Sequence, residues 1–523
     1  MRTSPFCQEG KAWTRNGFFY IMEKRACPFG LTQNRGGNTM EYLLEGREPK
    51  MALRYFEEIS RIPRGSGNEE AISQYLLDFA KEQGLEAWRD EHFNVCITKP
   101  GSQGCENLPP LMLQGHTDMV CEKNRDVDHD FLKDPIQLVV EGNILRAKGT
   151  TLGADNGVAV AWMMSILQDR TLVHPPLECV FTASEEVGLI GAHNLDYSRL
   201  QSRRLINLDC GPEGVFCCGS AGGQVTDFTL PLTMEEGNGA LLRLAIRGLS
   251  GGHSGGLIHM GLGNANVLMG RLFRRLMEEM ECRVQSCQGG DKDNAIPREC
   301  DAVLLVPQDK LDGAQALVKQ TEEEIRSQLM PADKDFRVEI ATEPAGTYQA
   351  ASLEQSRQIM RLMVMLPCGP QLRDLTMNDR VVASENFASV HTSETECKCI
   401  VSMRSSNDAY RQDMAARLDI LGDLLGASVR HHDDYESWEI EKNSPIRQTV
   451  LDCYKALTGK EGKVVATHGG LECGIFQKRM PGVDMVTMSC NSEGAHSPEE
   501  HMELDSFART YDLLKAVLQK LCQ

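Results

Sequence analysis

Apolar and polar positions follow two rhythms along this chain. Over residues 51–59, and again at Ile72, Tyr75, Leu76 and Phe79, apolar residues recur at helical spacing, with Gly84 where a helix would stop. Short continuous apolar runs then set in. Val95-Cys96-Ile97 and Leu111-Met112-Leu113 read as strands, the second running into Gln114-Gly115-His116-Thr117-Asp118. The segment 158–167 is apolar nearly all round and predicts a buried helix. The runs 177–183 and 205–208, apolar but for Glu178, Thr182 and Asn207, read as strands. Strand and helix alternate up to Asp209, which is the signature of an α/β sheet.

Near Ala221-Gly222-Gly223 the steps shorten. Strands are predicted over 225–232, 240–246, 302–306, 336–341, around 381–382 and over 399–403. Helices are predicted over 264–280, 311–329, 353–365 and 408–425. The α/β rhythm resumes near Trp438. It continues with a helix over 444–457, a strand running into a glycine-rich loop over 464–474, a strand over 485–488 and an amphipathic helix over 504–521. The simplest organisation is an α/β domain of residues 40–222 and 438–523, interrupted by an inserted α+β domain of residues 223–437. The insert has room for two similar halves, although no sequence repeat proves a duplication. Residues 1–39 have one short apolar patch and no h-region or cleavage site. A disordered arm, a transit-like leader and a misplaced start are the open readings, with Met40 favoured as the natural start.

The run ends carry the chemistry. His116 and Asp118 end one run, Asp155 lies in Gly153-Ala154-Asp155-Asn156-Gly157, and Glu185-Glu186 and Asp209 end two more. The turn Gly494-Ala495-His496-Ser497-Pro498 returns a second histidine to the same edge. Ligands of open α/β sheets gather at the carboxyl ends of the strands, and these residues are expected there. Each alone is weak, because a lone His is more often structural and an acid pair is usually a solvated turn. Together, in order, they point to a site for two divalent ions. His116 and Asp209 are expected on one ion, Glu186 and His496 on the other, and Asp155 between them. Asp118 is placed to fix the tautomer of His116, and Glu185 to act as general base.

Composition narrows the partners. A net charge of −19 disfavours nucleic acid and anionic membrane, and no apolar run approaches the length of a membrane span. Nineteen cysteines without a disulfide-like rhythm fit a reducing cytosol, so the expected location is cytoplasmic.

The motifs around His116, Asp155, Glu185, Asp209 and His496 resemble the co-catalytic di-zinc dipeptidases, in particular the aminoacyl-histidine dipeptidase group. Ile62-Pro63-Arg64, Asn294-Ala295-Ile296-Pro297-Arg298-Glu299 and Gly470-Leu471-Glu472-Cys473-Gly474 carry the likeness beyond the metal site. The resemblance implies a zinc-peptidase-like catalytic domain with a mixed sheet flanked by helices, and a lid formed by the insert. It implies that His253, in Gly251-Gly252-His253-Ser254-Gly255, stabilises an oxyanion and that Arg404 holds the substrate carboxylate. Asn294 and Gly470 are weaker candidates for substrate contact. In single-lobed relatives the equivalent His comes from a partner subunit; the long insert here implies that His253 acts in its own chain. Zinc is the implied ion, with manganese and cobalt also suited to the donors. The expected reaction is hydrolysis of unblocked dipeptides, aminoacyl-histidine among them, by a monomer or homodimer. N-acyl amino acid deacylation, aminopeptidase action and, more remotely, a non-catalytic binding role on the same fold are the alternatives.

Overall fold

The computed structural model describes residues 42–376 and 379–523; the N-terminal extension discussed above lies outside them. Six strands form a central sheet in the order Glu86–Arg89, Val95–Lys99, Leu177–Thr182, Leu111–His116, Arg204–Asn207 and Asp484–Thr487. The last four run parallel to one another, while the first two pair antiparallel, so the sheet is mixed. Leu111–His116 and Leu177–Thr182 are buried at every position, as strands covered on both faces must be. The helix Ala154–Gln168 is enclosed along nearly its whole length. Its Trp162 packs on Phe507 of the C-terminal helix Leu504–Lys520, with ring centroids 5.3 Å apart.

Two expectations need correction. Asp155 does not follow a strand of the central sheet. The chain before it forms a hairpin, Leu138–Glu141 and Ile144–Ala147, turning at Gly142 (φ 64°). This hairpin pairs with His501–Glu503, and that strand with Ser492–Glu493, in a separate four-stranded sheet. His496 lies on the turn between those two C-terminal strands. The small sheet thus brings the Asp155 and His496 turns together, independently of the central sheet. The second correction is local. The strand and glycine-rich loop expected over 464–474 are present, the strand as Lys463–Val465, but a helix, Cys473–Arg479, takes up the end of the loop.

The segment between Gly222 and Tyr435 builds a nine-stranded sheet with its own apolar core. It resolves into two lobes of the same topology. The first has strands Met234–Arg247, Arg283–Gly289, Cys300–Val306 and Arg337–Ala351, with helices Ala265–Glu279 and Leu311–Arg326. The second has Gly222–Pro231, Arg380–Thr392, Glu396–Ser405 and Ser428–Tyr435, with helices Leu353–Met365 and Asp408–Leu425. Each lobe follows the order strand-helix-strand-strand-helix-strand, and in each the first strand lies between the third and fourth. The lobes join where Gln288 and Gly289 pair with His391 and Val390. The first lobe is inserted after the first strand of the second, which hides the repeat from a tandem reading of the sequence.

Candidate metal centre

Parallel neighbours in the central sheet end on one edge. The residues that follow or close Leu177–Thr182, Leu111–His116 and Arg204–Asn207 therefore meet there: Glu185 and Glu186, His116 and Asp118, and Asp209. His116, 1% exposed, has Nε2 3.0 Å from Asp155 Oδ1 and 3.5 Å from Asp209 Oδ1. His496 Nε2 lies 3.0 Å from Glu186 Oε2 and 3.5 Å from Asp155 Oδ2. Asp155 thus offers one oxygen toward each imidazole. The donor atoms of His116, Asp155 and Asp209 lie within 4.8 Å of one another, as do those of Asp155, Glu186 and His496, and those of His116, Glu185 and Glu186.

Asp118 does more than the sequence reading assigned to it. Its Oδ1 lies 3.3 Å from His116 Nδ1, which is also 3.2 Å from the Asp118 carbonyl. The same carboxylate accepts from the backbone N–H of Glu185 (3.0 Å) and Glu186 (3.2 Å), and from Ser66 Oγ (2.7 Å). One buried carboxylate therefore orients both the first histidine and the acid pair. Ser184 Oγ donates to Glu69 at 2.6 Å and fixes the same turn from the other side.

The electrostatics are those of crowded acid. Burial opposes the charged form of His116, yet Asp209, Asp118 and Asp155 hold its pKa well above the ordinary value. Hydrogen bonds to Asp155 and Glu186 push His496 up to about 10. Burial and the Asp155 charge push Asp209 up to about 6. Burial, opposed by His116 and reinforced by Asp209, Glu186 and Glu472, lifts Glu185 well above the carboxylate range. Burial lifts Glu472 to about 7 beneath the site, where it accepts from Gln114 Nε2 (2.5 Å) and Thr182 Oγ1 (2.8 Å). Divalent cations would relieve this crowding. Glu186 Oε1 is buried without a hydrogen-bond partner among the described residues, as an oxygen that serves a metal would be. One imidazole with several carboxylates on each side suits zinc, manganese or cobalt, so the residues fit a pair of such ions.

A second cluster comes from the inserted lobes. His253 is on the two-residue strand Gly252–His253, paired with Ala295–Ile296, and Ser254 N donates to the Asn294 carbonyl at 2.8 Å. A Cβ on Gly255 would fall 2.9 Å from His253 Cε1 and 3.2 Å from Arg404 Cζ, so the ring and the guanidinium flank that backbone. Arg404 Nη1 donates to Tyr435 Oη at 2.9 Å, and Gly470 lies against the same tyrosine ring. Burial, Arg404 and His496 lower the pKa of His253, which favours its neutral form. The structure thus gathers His253, Arg404 and Gly470, and Asn294 joins through its backbone. Tyr435 left no signal in the sequence. Glu472 and Arg64 were visible only as parts of motifs without a role.

The family model for peptidase family M20/M25/M40 matches residues 112–520. The chain is 37% identical over 471 residues to the cytosol non-specific dipeptidase of Escherichia coli (strain K12), covering 89% of this chain and 96% of that one. The crystal structure of the aminoacylhistidine dipeptidase from Vibrio alginolyticus superposes with a TM-score of 0.81 at 32% identity, covering 90% and 97% of the two chains. An M20-family metallo-carboxypeptidase from Sulfolobus solfataricus, at 14% identity and a TM-score of 0.52 over 90% and 99%, shares the fold alone. A donor cluster at the carboxyl edge of a mixed sheet, over a chain that matches almost from end to end, leads to one conclusion: this protein belongs to peptidase family M20/M25/M40.

Proposed function

We propose that the chain hydrolyses unblocked dipeptides at a site for two divalent ions. His116, Asp155 and Asp209 would hold one ion, and Asp155, Glu186 and His496 the other. The observation that carries this reading is the placement of Asp155, whose two carboxylate oxygens face the two histidines. When bound, such an ion pair polarises a carbonyl and brings the pKa of a water toward neutrality. Glu185, on the turn that Asp118 fixes through the backbone N–H groups of Glu185 and Glu186, would take the water's proton and pass it to the leaving amine. Asp118 accepts the Nδ1 proton of His116 and leaves Nε2 free to face the ion.

His253, held neutral, donates to the carbonyl oxygen as that oxygen gains charge. Arg404, steadied by Tyr435, holds the free carboxylate of the substrate. Asn294 and Gly470 are the further candidates for substrate contact. Zinc is the favoured ion. Dipeptides ending in histidine belong to the substrate range by analogy with the Vibrio relative, and a cytosolic location by analogy with the Escherichia coli one. No helix among the described residues is long and apolar enough to cross a membrane.

The test uses protein stripped of metal and reloaded with zinc, manganese or cobalt. Release of free amino acid is measured from Ala-His, Gly-Gly, Leu-Leu, a tripeptide, an N-acetyl amino acid and an N-blocked dipeptide. Metal-dependent cleavage confined to the free dipeptides is the expected result. Cleavage of the N-acetyl compound alone would replace the reaction with deacylation.

A further inference from the structure

Two side chains from opposite ends of the sequence grip the turn that carries Asp155. Glu500, 2% exposed, accepts on Oε2 from the backbone N–H of Leu152 (2.7 Å) and Gly153 (2.9 Å), and on Oε1 from that of Asp155 (3.2 Å). Arg64, equally buried, donates through Nη2 to the Gly153 carbonyl (2.5 Å). Its Nη1 donates to the carbonyls of Thr117 (2.9 Å) and Asp118 (3.2 Å). Gly153 is thereby held by both its N–H and its C=O. Its φ of 70°, and the 2.5 Å that would separate a Cβ from Arg64 Nη2, leave room for no other residue.

Glu500 has no part in the reaction just described and is in none of the three donor groups. It lies four residues beyond His496, and the turn between them is closed by bonds from Ser497 N to Gly494 O (3.2 Å) and from Glu500 N to Ser497 O (3.1 Å). We infer that Glu500 is a positioning residue for the metal pair: it couples the turn bearing His496 to the turn bearing Asp155, so that these two donors move as one unit. The inference rests on the two-ion reading above.

The chemistry requires a carboxylate. Three N–H donors converge on two oxygens that only accept. A glutamine would turn an NH2 toward at least one of them and leave a buried N–H without a partner. The effect is asymmetric. The ion on the Glu186 side would draw both Asp155 and His496 from the clamp. The ion on the Asp209 side shares only Asp155 with it, since His116 is fixed by its own strand and by Asp118.

The experiment titrates metal-free wild type, Glu500→Gln and Glu500→Asp with zinc against a chromophoric chelator, without substrate. Dipeptide kinetics at graded zinc follow. Wild type is expected to bind two ions. Glu500→Gln should keep the tighter step and weaken the other by roughly 10–100-fold, the usual range for outer-shell partners of metal ligands. Its kcat should fall at limiting zinc and recover in excess zinc, with KM for the dipeptide within about threefold of wild type. Glu500→Asp, which keeps the charge on a shorter arm, should lie between. Two wild-type affinities in a folded Glu500→Gln protein, or equal weakening of both steps, would overturn the inference; so would a lower melting temperature with zinc binding unchanged. If Glu500→Gln does not fold, Glu500→Asp carries the same titration. If wild type binds two ions yet cleaves no dipeptide, the dipeptidase reading fails and the titration still decides the role of Glu500.

Discussion

Replacing Arg404 by alanine tests the proposed contact between this side chain and the free carboxylate of a dipeptide. Arg404 is 9% exposed, and among the described residues its guanidinium donates to the phenol oxygen of Tyr435. Its Nε is buried without a partner, and no carboxylate pairs with it among the described residues. A buried guanidinium without a counter-ion is prepared to take one from the substrate. A hydrogen bond to a charged group contributes about 1.5–3 kcal/mol. A two-pronged contact, discounted for non-additivity, comes to about 3–4 kcal/mol, or a loss of roughly 140–700-fold in kcat/KM at about 1.4 kcal/mol per decade. The assay compares each dipeptide with its C-terminal amide. Wild type should disfavour the amide by a similar factor, whereas Arg404→Ala should treat acid and amide alike. Arg404→Lys should restore only part of the loss, because a point charge lacks the planar fork. If Arg404→Ala loses the same factor on both substrates, the arginine acts on the fold and not on the carboxylate. If wild type cleaves the amide as fast as the acid, the proposed pocket reads no carboxylate at all.

Glu185→Gln should lower kcat by roughly 10²–10⁴-fold while two ions remain bound, measured by turnover alongside metal content; unchanged turnover would remove Glu185 from proton transfer. Gly255→Ala places a methyl against both His253 and Arg404 and should cut kcat/KM by roughly 10–100-fold, with metal content unchanged. Glu385 is 1% exposed, has an unpartnered Oε2, and burial raises its pKa from 4.5 to about 7. Because its folded pKa exceeds its unfolded one, the stability present below about pH 4.5 is lost as pH rises through about 7, at most roughly 3 kcal/mol. Glu385→Gln should therefore raise the melting temperature at pH 8 and leave it nearly unchanged at pH 5; equal shifts at both would refute the assignment.

The parts of the site that could be read in advance share one property. His116 closes, and Glu186 and Asp209 follow, strands that are buried almost throughout, and such strands write themselves as short, mostly apolar runs. Asp155 and His496 belong to turns beside a small sheet whose strands are half-exposed and four residues or fewer in length, so no comparable run marked them. Their residue types were legible and their setting was not. In the inserted segment, Ser428–Tyr435 is a partly exposed edge strand rich in charge and histidine, and it was missed for that reason. Tyr435 is its last residue, which is why the partner of Arg404 went unseen. The ties made by Arg64, Ser66, Glu69 and Glu500 span tens to hundreds of positions and leave no local pattern.

The interleaving of the two lobes also sets an order of assembly on the ribosome. Domains of a growing chain form from the N-terminal side as their parts emerge. Gly222–Pro231 emerges before the whole first lobe, yet its pairing strands, Glu396–Ser405 and Ser428–Tyr435, emerge after it. The first lobe is contiguous and can close its sheet while that strand still waits. Arg204–Asn207 can pair at once with Leu111–His116, but its other edge waits for Asp484–Thr487, and His496 follows later still. The last donor is thus made when almost the entire polypeptide exists. If His496 completes the second ion site as proposed, a chain truncated before its turn would lack one donor of that site, and turnover would begin only once the C-terminal turn is in place.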